Sequence, residues 1–210
     1  MLIAQPDIGQ TLLVIFCWAV LIFTSGINIY ILLAIFIVGA SLLTYLIIYV
    51  PRFDYIQGRI FSFFNRETGT HNFQSDKAIE SITSGGFFGK GIGEGVLKNR
   101  VPEAHTDYII SVISEEFGVV AIMLILLLFL ILIYMVFKKI SFETNDKVKL
   151  ILIGSISLIL MQATIHIGVN IRLFPTTGMT LPFLSYGGSS IISTSILAGI
   201  ILNLTKRKIT

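Results

Sequence analysis

Long apolar runs are the feature that most constrains this chain. Five stretches carry at most one charged residue each, and a helix needs about 20 apolar residues to cross the hydrocarbon core of a bilayer. Only 13% of the 210 residues are charged and 54% are hydrophobic, whereas a soluble domain averages about 25% charged residues. The sequence therefore predicts an all-α integral membrane protein, a polytopic helix bundle with runs at 8–23, 29–50, 117–137, 148–169 and 189–204.

The basic residues predict how these helices are threaded. They follow three of the runs, and the positive-inside rule places all three groups in the cytoplasm. Five crossings cannot satisfy that placement, so a sixth is expected at 72–88, where a short polar helix would have to be packed in protein or line a wet cavity. The basic groups are Arg52, Arg59 and Arg66, then Lys138, Lys139, Lys147 and Lys149, then Lys206, Arg207 and Lys208.

Six crossings define one membrane domain, 1–210, with both termini in the cytoplasm. A cytoplasmic loop is then expected at 51–71, and outer loops at 89–114 and 171–188. The basic residues of the 51–71 and 138–149 loops would also favour anionic headgroups there. No nucleic-acid partner is expected. The polar opening at 5–7 lacks the basic region of a secretory signal, and such an abrupt start suggests the later part of a longer chain.

The first outer loop carries the residue types of a reactive site. Glu103, His105 and Asp107 alternate just before a helix, and three interpretations compete: metal ligands, a helix cap supplied by Thr106 or Asp107, and a carboxylate acting as general base. The preceding glycines around Lys90 fit either a flexible turn or a backbone that approaches a phosphate closely.

Two further sets of polar residues point to a groove. Gln162, His166 and Asn170 recur every four residues, so they share one helix face, where they either join helices by hydrogen bonds or touch substrate. The polar helix at 72–88 contributes Asp76, Lys77 and Glu80 to the same predicted groove. The loop after Asn170 is irregular because prolines and glycines interrupt it, and its candidate binding residues are Arg172, Ser185, Tyr186, Gly187 and Gly188.

These loops resemble a known family. Pro-Glu-Ala-His-Thr-Asp-Tyr-Ile at 102–109, the segment 175–190 and Gln-Pro-Asp-Ile-Gly at 5–9 are similar to the SEDS proteins, and the two loop motifs look more like the FtsW branch than the RodA branch. The resemblance implies a ten-helix peptidoglycan glycosyltransferase that polymerises lipid II during cell division. It places the essential aspartate on Asp107 and implies that the first four helices precede this chain.

The resemblance also implies partners and a location. A class B penicillin-binding transpeptidase and other division proteins would bind the protein in the bacterial inner membrane, at the septum. No cofactor is required by the sequence, although a divalent cation is possible, and Lys90, Arg100 and Arg172 are candidates for the lipid diphosphate. Two alternatives remain, a flippase for the same lipid and a non-catalytic scaffold of the division machinery.

Overall fold

The computed structural model describes residues 7–64, 70–96 and 101–206. All regular elements in these ranges are helical, which confirms the predicted fold class. Arg66, Arg100, Arg207 and Lys208 lie outside the described residues. The helices are α1 (Ile8–Thr24), α2 (Ile29–Tyr49), a 3-10 turn (Pro51–Phe53), α3 (Asp54–Phe64), α4 (Thr70–Gly85), α5 (Ile109–Phe142), α6 (Asp146–Asn170) and α7 (Gly188–Thr205).

Short polar side chains set where three of the helices begin. Asp7 accepts a hydrogen bond from the backbone N–H of Gln10 at the start of α1, Asn28 accepts one from Tyr30 at the start of α2, and Asn145 caps α6. Each cap satisfies one of the donors that a helix N-terminus leaves unpaired. Within the described residues, α2, α5, α6 and α7 are long and apolar enough to cross a membrane, and α1 is a shorter apolar helix.

One buried cluster of the bundle lies between α5, α6 and α7. Val136, Leu152 and Ile159 are fully buried and Ile201 is nearly so, and they form one cluster with flanking leucines and isoleucines. By contrast, no residue of α2 is buried, and side chains such as Phe36 and Val38 are about two-thirds exposed. This distribution fits a membrane protein whose outer helices expose apolar side chains to lipid or to further protein rather than to water.

Helix α5 is broken at Gly118. This residue has φ 77° and ψ −175°, which divides α5 into residues 109–117 and 119–142. The chain that leaves α4 passes across the break and repairs it with backbone hydrogen bonds. Val119 and Val120 donate to the carbonyls of Gly86 and Phe87, while Lys90 and Gly91 donate to those of Glu115 and Glu116. The break removes the helical partners of two N–H groups and of two carbonyl groups, and these bonds give each of the four groups a new partner. The N–H groups are those of Val119 and Val120, and the carbonyls are those of Glu115 and Glu116.

Glycine is required where the two segments cross. A Cβ on Gly118 would lie 2.2 Å from the carbonyl oxygen of Phe87, and one on Gly89 would lie 2.1 Å from that of Glu116. Glu115 and Glu116 consequently occupy the last turn before the break. Their position just before the apolar run 117–137 predicts the first turn of a helix, next to its positive dipole end, and this prediction is wrong.

The threading differs from the prediction, first in the placement of α3. The nitrogen Nη1 of Arg59 in α3 donates to the carbonyl oxygen of Thr176, 3.1 Å away, so α3 lies on the same face as the 171–188 loop. The N-terminal end of α1 is on this face too, because Gly9 packs against Met179. The prediction that places 51–71 and 171–188 on opposite faces is therefore wrong for the described residues 51–64. The positive-inside rule uses only the number of arginines in a loop, and it does not take into account that Arg59 is bound within the protein.

Helix α4 exists where the sixth segment was predicted, but it does not carry the chain across. Its N-terminal half meets Tyr108 through Ser75, 3.4 Å between the hydroxyls, and Arg172 through Asp76. Its end meets Gly118, and the chain then returns to Tyr108. Residues 119–142 alone extend about 36 Å at 1.5 Å per residue, enough to cross the bilayer.

Five helices, α1, α2, α5, α6 and α7, thus run between the two faces in the described residues. Asp7 and Lys206 consequently lie on opposite faces, contrary to the predicted placement of both ends in the cytoplasm. The loops 89–114 and 171–188 do share a face, as expected. The lysines of 138–149 lie on the other.

Candidate functional site

Three consecutive carbonyl groups hold the segment before α5 in place. The backbone N–H of Tyr186 donates to His105 at 3.0 Å, the Ser185 hydroxyl donates to Thr106 at 2.7 Å, and the Asn170 amide donates to Asp107 at 2.9 Å. Both side-chain donors are buried. Because each of the three carbonyls has a partner, the position of Asp107 is set by residues that are 63 to 79 positions later in the chain.

The polar face of α6 builds this contact. Gln162 donates to the backbone and hydroxyl oxygens of Thr180 and to Ser190, His166 lies 2.7 Å from the carbonyl oxygen of Met179, and Asn170 also donates to the carbonyl of His166. The predicted shared face is confirmed. These side chains join the helix to the last loop, as the hydrogen-bonding alternative expects.

The Asp107 carboxylate is kept apart from this network. No side chain or backbone group in the described ranges donates a hydrogen bond to it, and Gly178 lies beside it, since an added Cβ on this glycine would lie 3.6 Å from Oδ2. Helix α5 has Tyr108 as its N-cap and lacks a side-chain cap bond. The prediction that Thr106 or Asp107 caps this helix is therefore wrong, and the carboxylate remains available for other chemistry.

The electrostatic surroundings of Asp107 favour proton uptake. Burial raises the pKa of its carboxyl above the ordinary aspartate value, and the nearby negative charge of Glu103 raises it further. The positive charge of Arg59 opposes both and lowers the pKa. Arg59 is the residue that sequence reasoning missed at this site. Its only signal was a position in the 51–71 segment, which was assigned to the wrong face.

Several of the predicted binding residues lie elsewhere or face outward. Lys90 lies 3.7 Å from the buried carboxylate of Glu115, which follows Asp107 by about two helical turns in the chain. The half-buried Lys77 pairs with Glu80 one turn along α4. That these residues share one groove with the polar face of α6 stays a prediction.

The remaining predicted residues border the site. Asp76 contacts Arg172, and Glu103 accepts a hydrogen bond from Thr106 at 2.9 Å. The side chains of His105 and Tyr186 are exposed, and only their backbones enter the network. Gly187 and Gly188 form the start of α7, with Gly187 as its N-cap. In the part of the chain that the structure describes, no three His, Cys, Asp or Glu side chains gather as a metal site would require.

The fold and the site together define the class, a multi-pass helical membrane protein with a partly buried carboxylate between two interlocked loops. The FtsW/RodA/SpoVE family model, described as "Cell cycle protein", matches residues 1–209. The chain therefore belongs to this family, as its loop motifs suggested.

Individual members of the family are similar to this chain over nearly its whole length. The chain is 35% identical to a probable peptidoglycan glycosyltransferase FtsW of Caulobacter vibrioides, over 99% of this chain and 52% of the relative. It is 34% identical to the stage V sporulation protein E of Bacillus subtilis, over 98% of this chain and 56% of the relative.

A solved structure has the same fold. It belongs to work on the "structural coordination of polymerization and crosslinking by a peptidoglycan synthase complex", with a TM-score of 0.75, 29% sequence identity, and coverage of 97% of this chain and 56% of that one. The chain spans about half the length of the relatives that it matches.

Proposed function

We propose that this chain forms the part of a peptidoglycan glycosyltransferase that holds the catalytic base, and that Asp107 is this base. The observation that carries the proposal is the contrast at residue 107. The backbone carbonyl is bound by Asn170, whereas the carboxylate has no donor in the described residues and a raised pKa. A general base needs this combination of a fixed position and a proton affinity above that of a solvated aspartate.

The proposed reaction joins two lipid-linked sugars. Asp107 accepts the proton of a sugar hydroxyl on the acceptor, whose oxygen then forms a bond to the anomeric carbon of the donor. The bond from that carbon to the diphosphate oxygen breaks, and undecaprenyl diphosphate leaves. In this proposal the substrate is lipid II, and the Asp107 face is the outer face of the bacterial cytoplasmic membrane.

A class B penicillin-binding transpeptidase is proposed as partner. The similarity to a chain of a peptidoglycan synthase complex supports this assignment, and the similarity to FtsW proteins supports a role in division.

The test uses a chimera in which this chain replaces the corresponding half of the Caulobacter relative. Asp107→Asn keeps the size of the side chain but removes the base, so polymerisation of lipid II in vesicles should fall by about 100-fold or more. Asp146→Asn is the matched control, because Asp146 is exposed on the other face. Lipid II translocation is measured in the same vesicles.

Full polymerisation by the Asp107→Asn chimera would refute the proposal. Loss of translocation together with polymerisation would favour the flippase alternative. An inactive parent chimera that still binds its transpeptidase would favour the scaffold alternative.

A further inference from the structure

Large apolar side chains are exposed on the short connection that follows α4. Phe87, Phe88, Ile92 and Val96 have 75%, 85%, 79% and 60% of their surface exposed, and we call these four residues the apolar loop. Exposed apolar patches mark surfaces that meet a membrane or another protein.

The backbone of the apolar loop is held by α5, so the exposure belongs to the fold. The N–H group of Lys90 donates to the carbonyl oxygen of Glu115 at 2.8 Å, and the carbonyl of Phe87 accepts from Val120 at 3.3 Å. Gly95 is buried, and a Cβ on it would lie 2.8 Å from the carboxyl carbon of Glu115. The small residue of this segment therefore packs on the helix, whereas the large apolar side chains are left uncovered.

The apolar loop is continuous with the apolar face of the crossing part of α5. Val120, which is hydrogen-bonded to Phe87, is 52% exposed, and Met123 and Leu127 are 61% and 54% exposed. Positions 120, 123 and 127 share one helix face, and they follow the break at residue 118, in the part of α5 that is long enough to cross the bilayer. The surface that this helix presents to lipid therefore extends onto the loop.

Two charged side chains limit how deep the loop can lie. Lys90 is 3.7 Å from the buried carboxylate of Glu115, and Glu94 is exposed. A charged group in the hydrocarbon centre is costly unless it is paired or reaches water. The boundary between headgroups and acyl chains suits both kinds of residue, because it takes up apolar side chains to a depth of about 5–10 Å and leaves charged ones at the headgroups.

We propose that the apolar loop binds the lipid bilayer, with its four side chains inserted at the headgroup–acyl boundary of the leaflet on the Asp107 face. Continuity with the apolar face of α5 favours lipid over a protein partner, since lipid that covers the helix reaches the loop without a gap. The loop is bonded to Glu115 in the part of α5 that precedes the break. Lipid contact at the loop therefore sets the height of this part of α5 relative to the membrane, whether or not Asp107 is the base.

The experiment locates position 88 relative to the membrane with a nitroxide label. The protein is the chimera with the Caulobacter relative, in which Cys17→Ala and replacement of any cysteine in the other half leave Phe88→Cys as the labelled site. It is placed in nanodiscs of phosphatidylcholine and phosphatidylglycerol. Collisions of the nitroxide with oxygen, which concentrates in lipid, are compared with collisions with a nickel chelate, which stays in water.

Two reference positions calibrate the measurement. Met123→Cys marks the apolar face of α5, and Asp146→Cys marks water, because the side chain of Asp146 is 87% exposed at the start of α6. We expect the ratio of oxygen to nickel collisions at position 88 to be at least about fivefold higher than at position 146 and lower than at position 123, as a boundary depth requires. Ile92→Cys should give the same result, and it replaces Phe88→Cys if that variant fails to fold.

A matched pair of double variants tests whether the apolar side chains themselves hold the loop in lipid. Phe87→Ser with Ile92→Ser, measured with the label at position 88, should lower the ratio at least about threefold. Ile192→Ser with Ile196→Ser removes the same kind of surface from α7, where the two residues are 63% and 59% exposed, and should leave the ratio unchanged. Thermal unfolding identifies any variant that is misfolded, and Phe87→Ser alone then replaces the first pair.

Three outcomes would overturn the inference. Nickel access at position 88 equal to that at position 146 would show that the loop lies in water. Protection from both reagents would show that protein covers the loop, either another part of the chimera or a second copy. Equal ratios in the two double variants would show that the apolar side chains do not hold the loop in lipid. Asp107→Asn should leave every ratio unchanged, so a failure here is distinct from a failure of the proposed function.

Discussion

Replacing Gly118 with alanine should destabilise the protein severely. An alanine at φ 77° and ψ −175° lies in a region that is essentially restricted to glycine and costs about 1–3 kcal/mol. Its Cβ would also lie 2.2 Å from the carbonyl oxygen of Phe87, so the two segments would have to separate.

Separation would remove the four backbone hydrogen bonds that cross the break. Each contributes about 0.5–1.5 kcal/mol, so the total loss from strain and hydrogen bonds should be about 5 kcal/mol. The assay is reversible unfolding in mixed micelles, followed by tryptophan fluorescence of Trp18.

Gly39→Ala is the matched control for this variant. Gly39 lies inside α2, and a Cβ there meets nothing within 4 Å, so alanine should stabilise the helix by up to about 1 kcal/mol. Equal stabilities of the Gly118→Ala and Gly39→Ala proteins would refute the account of the broken helix.

Two further predictions concern the site. Because the pKa of Asp107 is raised, activity of the chimera should fall at a higher pH than it would with a solvated aspartate when the pH is lowered. Glu103→Gln should move this acid limb of the pH profile to lower pH, and Arg59→Gln should move it to higher pH. Shifts of both variants in the same direction would contradict the charge assignment. Asn170→Leu should cost about 1–3 kcal/mol in unfolding free energy because two carbonyls lose a buried donor, whereas Asn203→Leu, at an exposed position of α7, should change it by less than about 0.5 kcal/mol.

The apolar runs were sufficient to place the crossing helices. The run 29–50 became α2, at Ile29–Tyr49, and 148–169 became α6, at Asp146–Asn170. Periodicity also placed Gln162, His166 and Asn170 on one face correctly. These features depend on local sequence, either the length of an apolar run or the four-residue repeat of a helix.

The sequence could not reveal which long-range partners the polar residues have. Arg59 was assigned to lipid headgroups, but it is bound by a carbonyl 117 residues away, and this contact reverses the side of its segment. Lys90 was assigned to substrate, but it pairs with a buried glutamate. Hydropathy describes the preference of a residue for water or for lipid. It contains no information on which distant group in the folded chain becomes the hydrogen-bond partner of a polar residue.

The hydrogen bonds from Asn170 and the last loop to residues 105–107 couple the positions of two distant segments. A donor loop that moved by even 1 Å would displace the aspartate, since Ser185 reaches Thr106 at only 2.7 Å. Insertions are therefore tolerated better between α5 and α6, on the opposite face, than in either interlocked loop. Chimeras of two family members should retain activity when the segment before α5 and the last loop come from the same parent. They should lose activity when the boundary between the two parents falls between these segments.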